Sequence, residues 1–480
     1  MWDLGGHPVN VELLFREISN IIGDSLQVWN PIEDIKSYKT ISKFFQELKS
    51  FYETGIGRYD SDYESDGETV DFFHNVAVRG FNISDAWTVS QDLSSRMVKK
   101  AKGTGTIDKL KGPSASFFRT AARVLNPNPI SKPKFNTYTS LDWLSYHVSE
   151  EGGGVENVFL WLGANNALAA VTNMKIKQTP GNLELLPKIS TDMNDNKREK
   201  LYAEYEKLNP VDKPNEYNLW HIDDFAKEYE QLLTYVDEIL ENKTTKVFVA
   251  TVPFVTILPL ARGMGKEFEI DKRRYFEYYT YFPFEDDKLI DNPQLPALRL
   301  SEILFIEQTI KQYNDTIKKK VAEHNSQLQQ PRYFIVDIGQ SFEQMAFRRN
   351  KGVPPYIFPA FINNKYPKPD TRYYEHHPTQ GIKGGLFSLD GVHPSAIGQG
   401  LIAYEFMKVM LKAGISMPNE KGQVLDENRN IIEEQVPILN WEKIYEDDSL
   451  YQNALPLVSD LFKHDKLKQL VLKFSGFLAK

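Results

Sequence analysis

Three short apolar segments constrain the fold of this chain more than any other feature of its sequence. They cover residues 155–163, 246–253 and 333–338, and they stop at Gly163, Pro253 and Asp337-Ile338. A short continuous apolar run of this kind is typical of a strand that is buried on both faces. Because helical patterns separate the three runs, the sequence predicts strands that alternate with helices. Such alternation indicates a parallel sheet covered by helices on both faces.

Two weaker segments extend this pattern toward the N-terminus. Residues 10–22 have apolar side chains of mixed period, helical at first and then strand-like, and residues 72–81 form an apolar run that closes on Gly80. We therefore predict five strands, at about 18–24, 72–79, 157–162, 246–252 and 333–337. Helices are predicted over 32–55, from Ala86 onward, near 116–124, around 194–207, and over 222–241, 299–325 and 396–413.

The length of 480 residues fits either about three domains or one enlarged α/β domain with insertions. We interpret residues 1–413 as a single domain, with insertions at about 102–138, 172–220, 256–298 and 340–386. The aromatic side chains of the insertion 256–298 have two equally good interpretations: they line an acyl or sugar pocket, or they pack the insertion itself. Residues 414–480 are interpreted as a C-terminal extension, with a hairpin at 422–438, a helix starting near Pro456 and another over 465–478.

Composition narrows the classes of function. The formal net charge of −8 argues against a nucleic-acid partner, which would require a basic face, and the absence of cysteine excludes thiolate nucleophiles and cysteine-based metal sites. No apolar run is long enough for a transmembrane helix, and the sequence after Met1 lacks the features of a signal peptide. If Met1 is the native start, these features predict a cytoplasmic protein. The amphipathic C-terminal tail could contact a membrane surface, although docking on the sheet or on a partner chain is the more common role.

An aspartate and a histidine lie three residues apart late in the chain, in the segment Leu389-Asp390-Gly391-Val392-His393-Pro394. The segment precedes a predicted helix, and at this spacing the carboxylate can reach one imidazole nitrogen within a single turn. The carboxylate then holds the ring in one tautomer and leaves the other nitrogen free to take a proton from a nucleophile. The pair therefore predicts a general base, and such a base needs a hydroxyl to act on.

The best candidate for that hydroxyl is Ser25, which follows Gly23-Asp24 at the end of the first predicted strand. A hydroxyl at this position points out of the sheet, toward the free N–H groups and the positive end of the next helix, which favour an oxyanion. Taken alone, a Gly-Asp-Ser tripeptide is more often simply a turn.

Two other residues follow predicted strands and could stabilise the same oxyanion. The N–H of Gly80 can face the crevice at the carboxyl edge of the sheet, although a glycine needed only for a turn is the alternative. The side-chain amide of Asn165 can donate to a developing negative oxygen, although an asparagine that caps the next helix is the alternative.

Four segments together resemble the four sequence blocks of the SGNH (GDSL-type) hydrolases: Gly23-Asp24-Ser25-Leu26, Gly80, Gly163-Ala164-Asn165-Asn166, and Asp390-Gly391-Val392-His393-Pro394. The resemblance covers the core of the chain and leaves out the insertions and the tail. The third block departs from the usual Gly-x-Asn-Asp because Asn166 takes the last place. This departure concerns the support of the loop more than the oxyanion position, which is Asn165.

The resemblance implies a three-layer α/β/α, flavodoxin-like fold and a Ser-His-Asp esterase or lipase that uses no metal or cofactor. Ser25 would be the nucleophile, His393 the general base and then the acid, and Asp390 the residue that orients His393. The N–H groups of Ser25 and Gly80 and the side chain of Asn165 would form the oxyanion hole. The substrate would be a lipid, an acetylated sugar or another acyl ester. Two alternatives stay open: an acyltransferase that uses the same residues, and a catalytically silent binding module on the same fold.

Overall fold

The structure is a computed structural model that describes residues 11–22, 39–40, 43, 72–100, 116–190, 192–209, 217–281, 296–365, 367–377, 381–417 and 439–455. Within these ranges the chain is a mixture of helices and small sheets. The helices are α1 (Val11–Ile22), α2 (Asp85–Thr88), α3 (Gln91–Lys100), α4 (Ser116–Leu125), α5 (Ser140–Val148), α6 (Asn165–Thr172), α7 (Asp195–Leu208), α8 (Ile222–Ile239), α9 (Leu300–Ser326), α10 (Ile338–Met345), α11 (Ala360–Lys365), α12 (Ala396–Lys412), α13 (Trp441–Asp447) and α14 (Ser449–Gln452).

The central sheet is parallel, and its three strands are β1 (Asn157–Leu160), β2 (Lys246–Ala250) and β6 (Tyr333–Val336), in the order β1-β2-β6. All three coincide with the apolar runs that predicted them. Val247, Phe248, Val249 and Ala250 of the middle strand are fully buried. This burial on both faces explains why the run is continuously apolar rather than alternating.

Helices pack on both faces of this sheet. On one face, Phe406 of α12 packs against Phe159 of β1 with ring centroids 5.2 Å apart. On the other face, the Tyr333 hydroxyl of β6 donates to Asp237 of α8 at 2.7 Å, and the ring of His324 in α9 lies 6.1 Å from that of Tyr333. The predicted mixed α/β class is therefore confirmed, with helices packed against both faces of these three parallel strands.

The structure contradicts the prediction of the two N-terminal strands in the five-stranded sheet. Residues 18–22 belong to helix α1, because the apolar residues before Gly23 follow a helical spacing through to Ile22. Residues 72–79 form no strand, since their backbone groups bond elsewhere: the Phe73 carbonyl faces the His147 ring nitrogen at 3.1 Å, and the Ala77 N–H donates to the Asn75 side chain at 3.1 Å. The described residues thus show three parallel strands.

A second, antiparallel sheet occupies the aromatic-rich stretch after β2. It is formed by β3 (Ala261–Ile270), β4 (Arg273–Tyr281) and β5 (Ala297–Arg299), in that order. Tyr275 and Tyr279 of β4 are buried in the core that this sheet shares with the central sheet. A short hairpin of β7 (Glu375–His377) and β8 (Gly381–Lys383) precedes the Asp390 segment.

The first helix docks on the last described part of the chain. Arg16 of α1 donates to the backbone carbonyls of Ser449 at 3.0 Å and Asn453 at 2.6 Å, and the Ser449 hydroxyl donates to Glu12 at 2.7 Å. Asp448, just before α14, accepts a hydrogen bond from the Ile397 N–H at the start of α12 at 3.3 Å. The N-terminal helix is thereby linked to the helix that follows His393.

The other helix predictions are confirmed to within a few residues where the structure describes them. Most of the predicted helix 32–55, the predicted hairpin 422–438, and the predicted helices from Pro456 and over 465–478 lie outside the described residues. Among the residues that are described, no helix combines the length and the apolar character that crossing a membrane requires.

Candidate active site

The segment that carries Asp390 and His393 is a tight turn closed by backbone hydrogen bonds. Phe387 and Pro394 form an antiparallel bridge, and the Ser388 N–H donates to the His393 carbonyl at 2.8 Å. Gly391 has a φ of +69°, and a Cβ at this position would lie 3.0 Å from the backbone nitrogen of Leu260. Only glycine fits both the positive φ and the close approach, so the turn depends on Gly391.

Asp390 joins the turn to the imidazole through its two carboxylate oxygens. Its Oδ1 accepts hydrogen bonds from the backbone N–H groups of Val392 and His393 and from the Ser388 hydroxyl, each at 2.8 Å. Its Oδ2 lies 2.5 Å from Nδ1 of His393. With the Nδ1 proton donated to Asp390, the Nε2 atom of His393 carries the free lone pair. The His393 side chain is 49% exposed, so Nε2 is open to a reacting group.

The surroundings keep the Asp390 carboxyl ionised. Burial alone would raise its pKa, but the pKa lies well below the usual value because the neighbouring His393 side chain and the hydrogen bonds from His393 and Val392 stabilise the carboxylate. The buried Tyr373 hydroxyl donates to the Leu389 carbonyl, next to Asp390. Burial and the Asp390 charge raise the pKa of Tyr373, which therefore stays a neutral donor.

Gly80 and Asn165, which are far apart in the sequence, lie in neighbouring segments. The Asn165 side chain donates from Nδ2 to the carbonyl of Phe81 at 3.0 Å, directly after Gly80. Gly80 has a φ of +88°, and a Cβ there would lie 3.0 Å from the Phe117 ring. Asn165 is the first residue of α6, but the helix has no side-chain cap bond, so the capping alternative does not account for Asn165.

The buried side chain of Asn166 links these two segments to the core through hydrogen bonds. Its Oδ1 accepts from the Ile83 N–H at 3.3 Å, and its Nδ2 donates to the Glu228 carboxylate at 3.2 Å. Glu228 also accepts from Trp220 Nε1 at 3.1 Å. Burial raises the pKa of Glu228 to about 7, with hydrogen bonds from Trp220 and Asn166 opposing the rise. Asparagine at position 166 therefore supports the loop and places no carboxylate in direct contact with Glu228, whose pKa the charge of buried Asp85 already helps to raise.

One part of the site follows a strand of the central sheet, and the other contacts the loop that follows the neighbouring strand. The Asn165 segment follows β1, and Gly163 on the way to it has a φ of +111°, where a Cβ would lie 2.9 Å from Val252. The turn of Asp390 and His393 is anchored on the loop that follows β2, because the Leu260 N–H donates to the Gly391 carbonyl at 3.2 Å. The carboxyl ends of neighbouring parallel strands are where open α/β sheets place their ligands.

The structure thus describes four of the five predicted site residues, Gly80, Asn165, Asp390 and His393. It joins Asp390 to His393 directly, and it places Asn165 beside the Gly80 segment. Ser25, the predicted nucleophile, lies outside the described residues. Chemically, the arrangement offers an oriented base with an accessible Nε2 and an amide held at the start of a helix. Within the described ranges, no group of three or more acidic or histidine side chains could hold a metal ion.

Three residues with roles around the site were not predicted. Ser388 stands two residues before Asp390, a spacing at which a serine hydroxyl commonly bonds a turn. Glu228 interrupts the apolar stripe of α8 beside Phe225, Tyr229 and Leu232, and a carboxylate at such a position signals a buried hydrogen-bonding role. Tyr373 has no comparable signal, since only the tertiary structure brings it to Leu389.

No family model of known proteins, no curated protein and no solved structure matches this chain.

Proposed function

We propose that the chain is a serine hydrolase of the SGNH (GDSL) type that cleaves carboxylic esters through an acyl-serine intermediate. The single observation that carries the proposal is the pair of Asp390 and His393, with a carboxylate on Nδ1 and an accessible Nε2. This is the arrangement that a general base needs when it activates a hydroxyl.

In this mechanism, the Ser25 hydroxyl attacks the ester carbonyl while its proton passes to Nε2 of His393. The tetrahedral oxyanion accepts hydrogen bonds from the N–H groups of Ser25 and Gly80 and from the amide of Asn165. His393 then returns the proton to the leaving alcohol, and water releases the acid by the same steps in reverse order. Asp390 keeps the imidazole in the required tautomer and stabilises the imidazolium.

The docking of α1 supports the participation of Ser25. This helix ends at Ile22, three residues before Ser25, and Arg16 and Glu12 tie it to residues 449–453. Asp448 in turn bonds the start of α12, which begins three residues after His393. The early and the late parts of the chain are thus held together. The three-layer, flavodoxin-like core of the family belongs to the same proposal, and the helices on both faces of the central sheet support it.

A fluorophosphonate probe tests the proposal, because it labels only an activated serine. We expect labelling of the wild type at Ser25, located by peptide mass spectrometry, and none of Ser25→Ala or His393→Ala. Ser326→Ala and His74→Ala, which change exposed residues outside the site, are the matched controls and should label normally. Labelling of Ser25→Ala at the wild-type rate would contradict the proposal. Labelling of Ser25 without ester hydrolysis would point instead to acyl transfer to another acceptor.

A further inference from the structure

A groove is lined in part by the loop that anchors the Asp390 and His393 turn. It lies between residues 256–259, the β3–β4 hairpin and the turn at 346–349, and it is partly open to solvent. Leu260, which stands between the lining residues Pro259 and Ala261, donates its N–H to the carbonyl of Gly391. The loop that lines the groove therefore also contacts the turn of Asp390 and His393.

Arginines dominate the polar side of the groove. Arg274, Arg348 and Arg349 line it directly, and the charges of Arg262 and Arg372 act on Arg348. In a chain with a net charge of −8, this local concentration of cations is notable because it runs against the overall charge. Cationic clefts of this kind attract and retain anions.

Most of these arginines have acceptors within the protein. Arg349 donates to Glu307 at 2.5 Å and to the Tyr279 hydroxyl at 3.1 Å, and its guanidinium lies 3.9 Å from the centre of the Tyr275 ring. Arg372 donates to both carboxylate oxygens of Asp370, at 2.6–3.0 Å. The Nε atom of Arg274 lies 3.4 Å from the Oε2 atom of Glu267. These three side chains are therefore already paired.

Arg348 differs from these three arginines, since its side chain makes no hydrogen bond or ion pair with any residue that the structure describes. Burial, followed by the charges of Arg262 and Arg372, lowers the pKa of Arg348 to about 10, and Asp370 opposes this only in part. Its guanidinium therefore has donors that no described residue uses, and an anion in the groove would accept from them. The planar guanidinium also presents paired N–H donors that match the oxygens of a carboxylate or phosphate.

We propose that this groove binds a carboxylate or phosphate group through Arg348, and that the group is a substituent of the ester substrate. The second half rests on the proposed function, because it assumes that an ester is bound at His393. The substrate class is thus an acyl ester that also carries an anionic group.

Binding of simple anions tests the site itself. Calorimetric titration of the full chain with inorganic phosphate and, separately, with glutarate should show binding of at least one of them, and which one binds distinguishes the two chemistries. Arg348→Gln should weaken this binding at least tenfold, as expected for the loss of charge-assisted hydrogen bonds. Lys200→Gln, which removes one exposed positive charge on α7, should bind like the wild type.

Two outcomes of the titration would overturn the anion site. Equal affinity of Arg348→Gln and wild type would place the anion elsewhere. Absence of binding to the wild type, together with a lower melting temperature of Arg348→Gln, would mean that the chain's own carboxylates compensate Arg348.

A matched pair of esters tests the assignment to the substrate. Mono(4-nitrophenyl) glutarate and 4-nitrophenyl pentanoate have similar size, and only the first ends in a carboxylate. The ratio of their kcat/KM values should fall at least tenfold in Arg348→Gln and stay unchanged in Lys200→Gln; 4-nitrophenyl 4-phosphonobutanoate extends the test to phosphonate. An unchanged ratio in Arg348→Gln would overturn the substrate assignment. If Ser25 is not labelled by the fluorophosphonate, the substrate assignment fails with the proposed function, whereas anion binding is still decided by the titration.

Discussion

The side chain of Asn166 donates to the carboxylate of Glu228 at 3.2 Å, inside the core below the proposed oxyanion hole. Both residues are buried: Asn166 is 0% exposed and Glu228 is 4% exposed. The SGNH hydrolases that the sequence resembles have aspartate at the position of Asn166. Glu228 gives a physical reason for asparagine here, because two carboxylates in contact in the core repel each other and cannot both be ionised without a large cost.

The first prediction concerns Asn166→Asp. At pH 8 both carboxylates would tend to ionise, and we expect the free energy of unfolding to fall by about 3 kcal/mol. At pH 5 one of the pair can keep a proton, so the loss should be clearly smaller. Urea unfolding at the two pH values measures the difference. Asn194→Asp adds the same charge at an exposed helix cap and should change stability little at either pH; equal losses in both variants would argue against repulsion at Glu228.

The second prediction concerns the pH dependence that Glu228 gives to the wild type. Its pKa in the folded protein is about 7, above the ordinary 4.5, so the folded state keeps a proton that the unfolded chain releases. The corresponding stability is present below pH 4.5 and is lost as the pH rises through 7, a change on the order of 3 kcal/mol. Glu228→Gln resembles the neutral acid at every pH. The stability of the wild type relative to Glu228→Gln should therefore decline between pH 4.5 and 8, and parallel pH profiles would contradict the raised pKa.

The central sheet could be predicted from sequence because its strands are buried on both faces. In β2, nothing but apolar residues suits such a position, and the run from Val247 to Ala250 has no helical alternative at its length. The segment before Gly23 had no such constraint, since its mixed period allowed a strand or a helix. Residues 72–79 were mispredicted because tertiary contacts decide their conformation: Phe72 packs on Trp143 at 5.2 Å and on Tyr146 at 5.0 Å.

Sequence could predict the part of the candidate site whose residues are close together in the chain. Asp390 and His393 are three residues apart, so one turn decides their geometry. Asn165 and Phe81 meet only because the fold brings two loops together, and the resemblance to a family supplied what spacing could not. Arg348 carries no sequence signal at all, because its lack of an acceptor among the described residues depends on which side chains the fold places around it.

The third prediction concerns Asn165→Ala. Loss of one oxyanion donor typically lowers kcat by about 10²–10³. The variant also loses the bond to the Phe81 carbonyl, which should cost only about 1 kcal/mol of stability. Ester hydrolysis and thermal unfolding, measured together, separate the two effects. Asn173→Ala at the exposed end of the same helix is the matched control and should retain activity; a normal rate in folded Asn165→Ala would remove this residue from the oxyanion hole.

The last prediction concerns Asp390→Asn, which separates the two roles of this side chain. The amide oxygen can still accept the bonds that Oδ1 receives from Val392, His393 and Ser388, so the turn should persist. The amide nitrogen would face Nδ1 of His393 and could only donate to it, which places the ring proton on Nε2. His393 could then no longer take the proton of Ser25, and ester hydrolysis and fluorophosphonate labelling should fall by about 10³–10⁴. Asp390→Ala removes both roles and should also lower the melting temperature, whereas Asp390→Asn should not. Full activity in a folded Asp390→Asn would show that the tautomer of His393 is unimportant, and the case for His393 as the general base would fall with it.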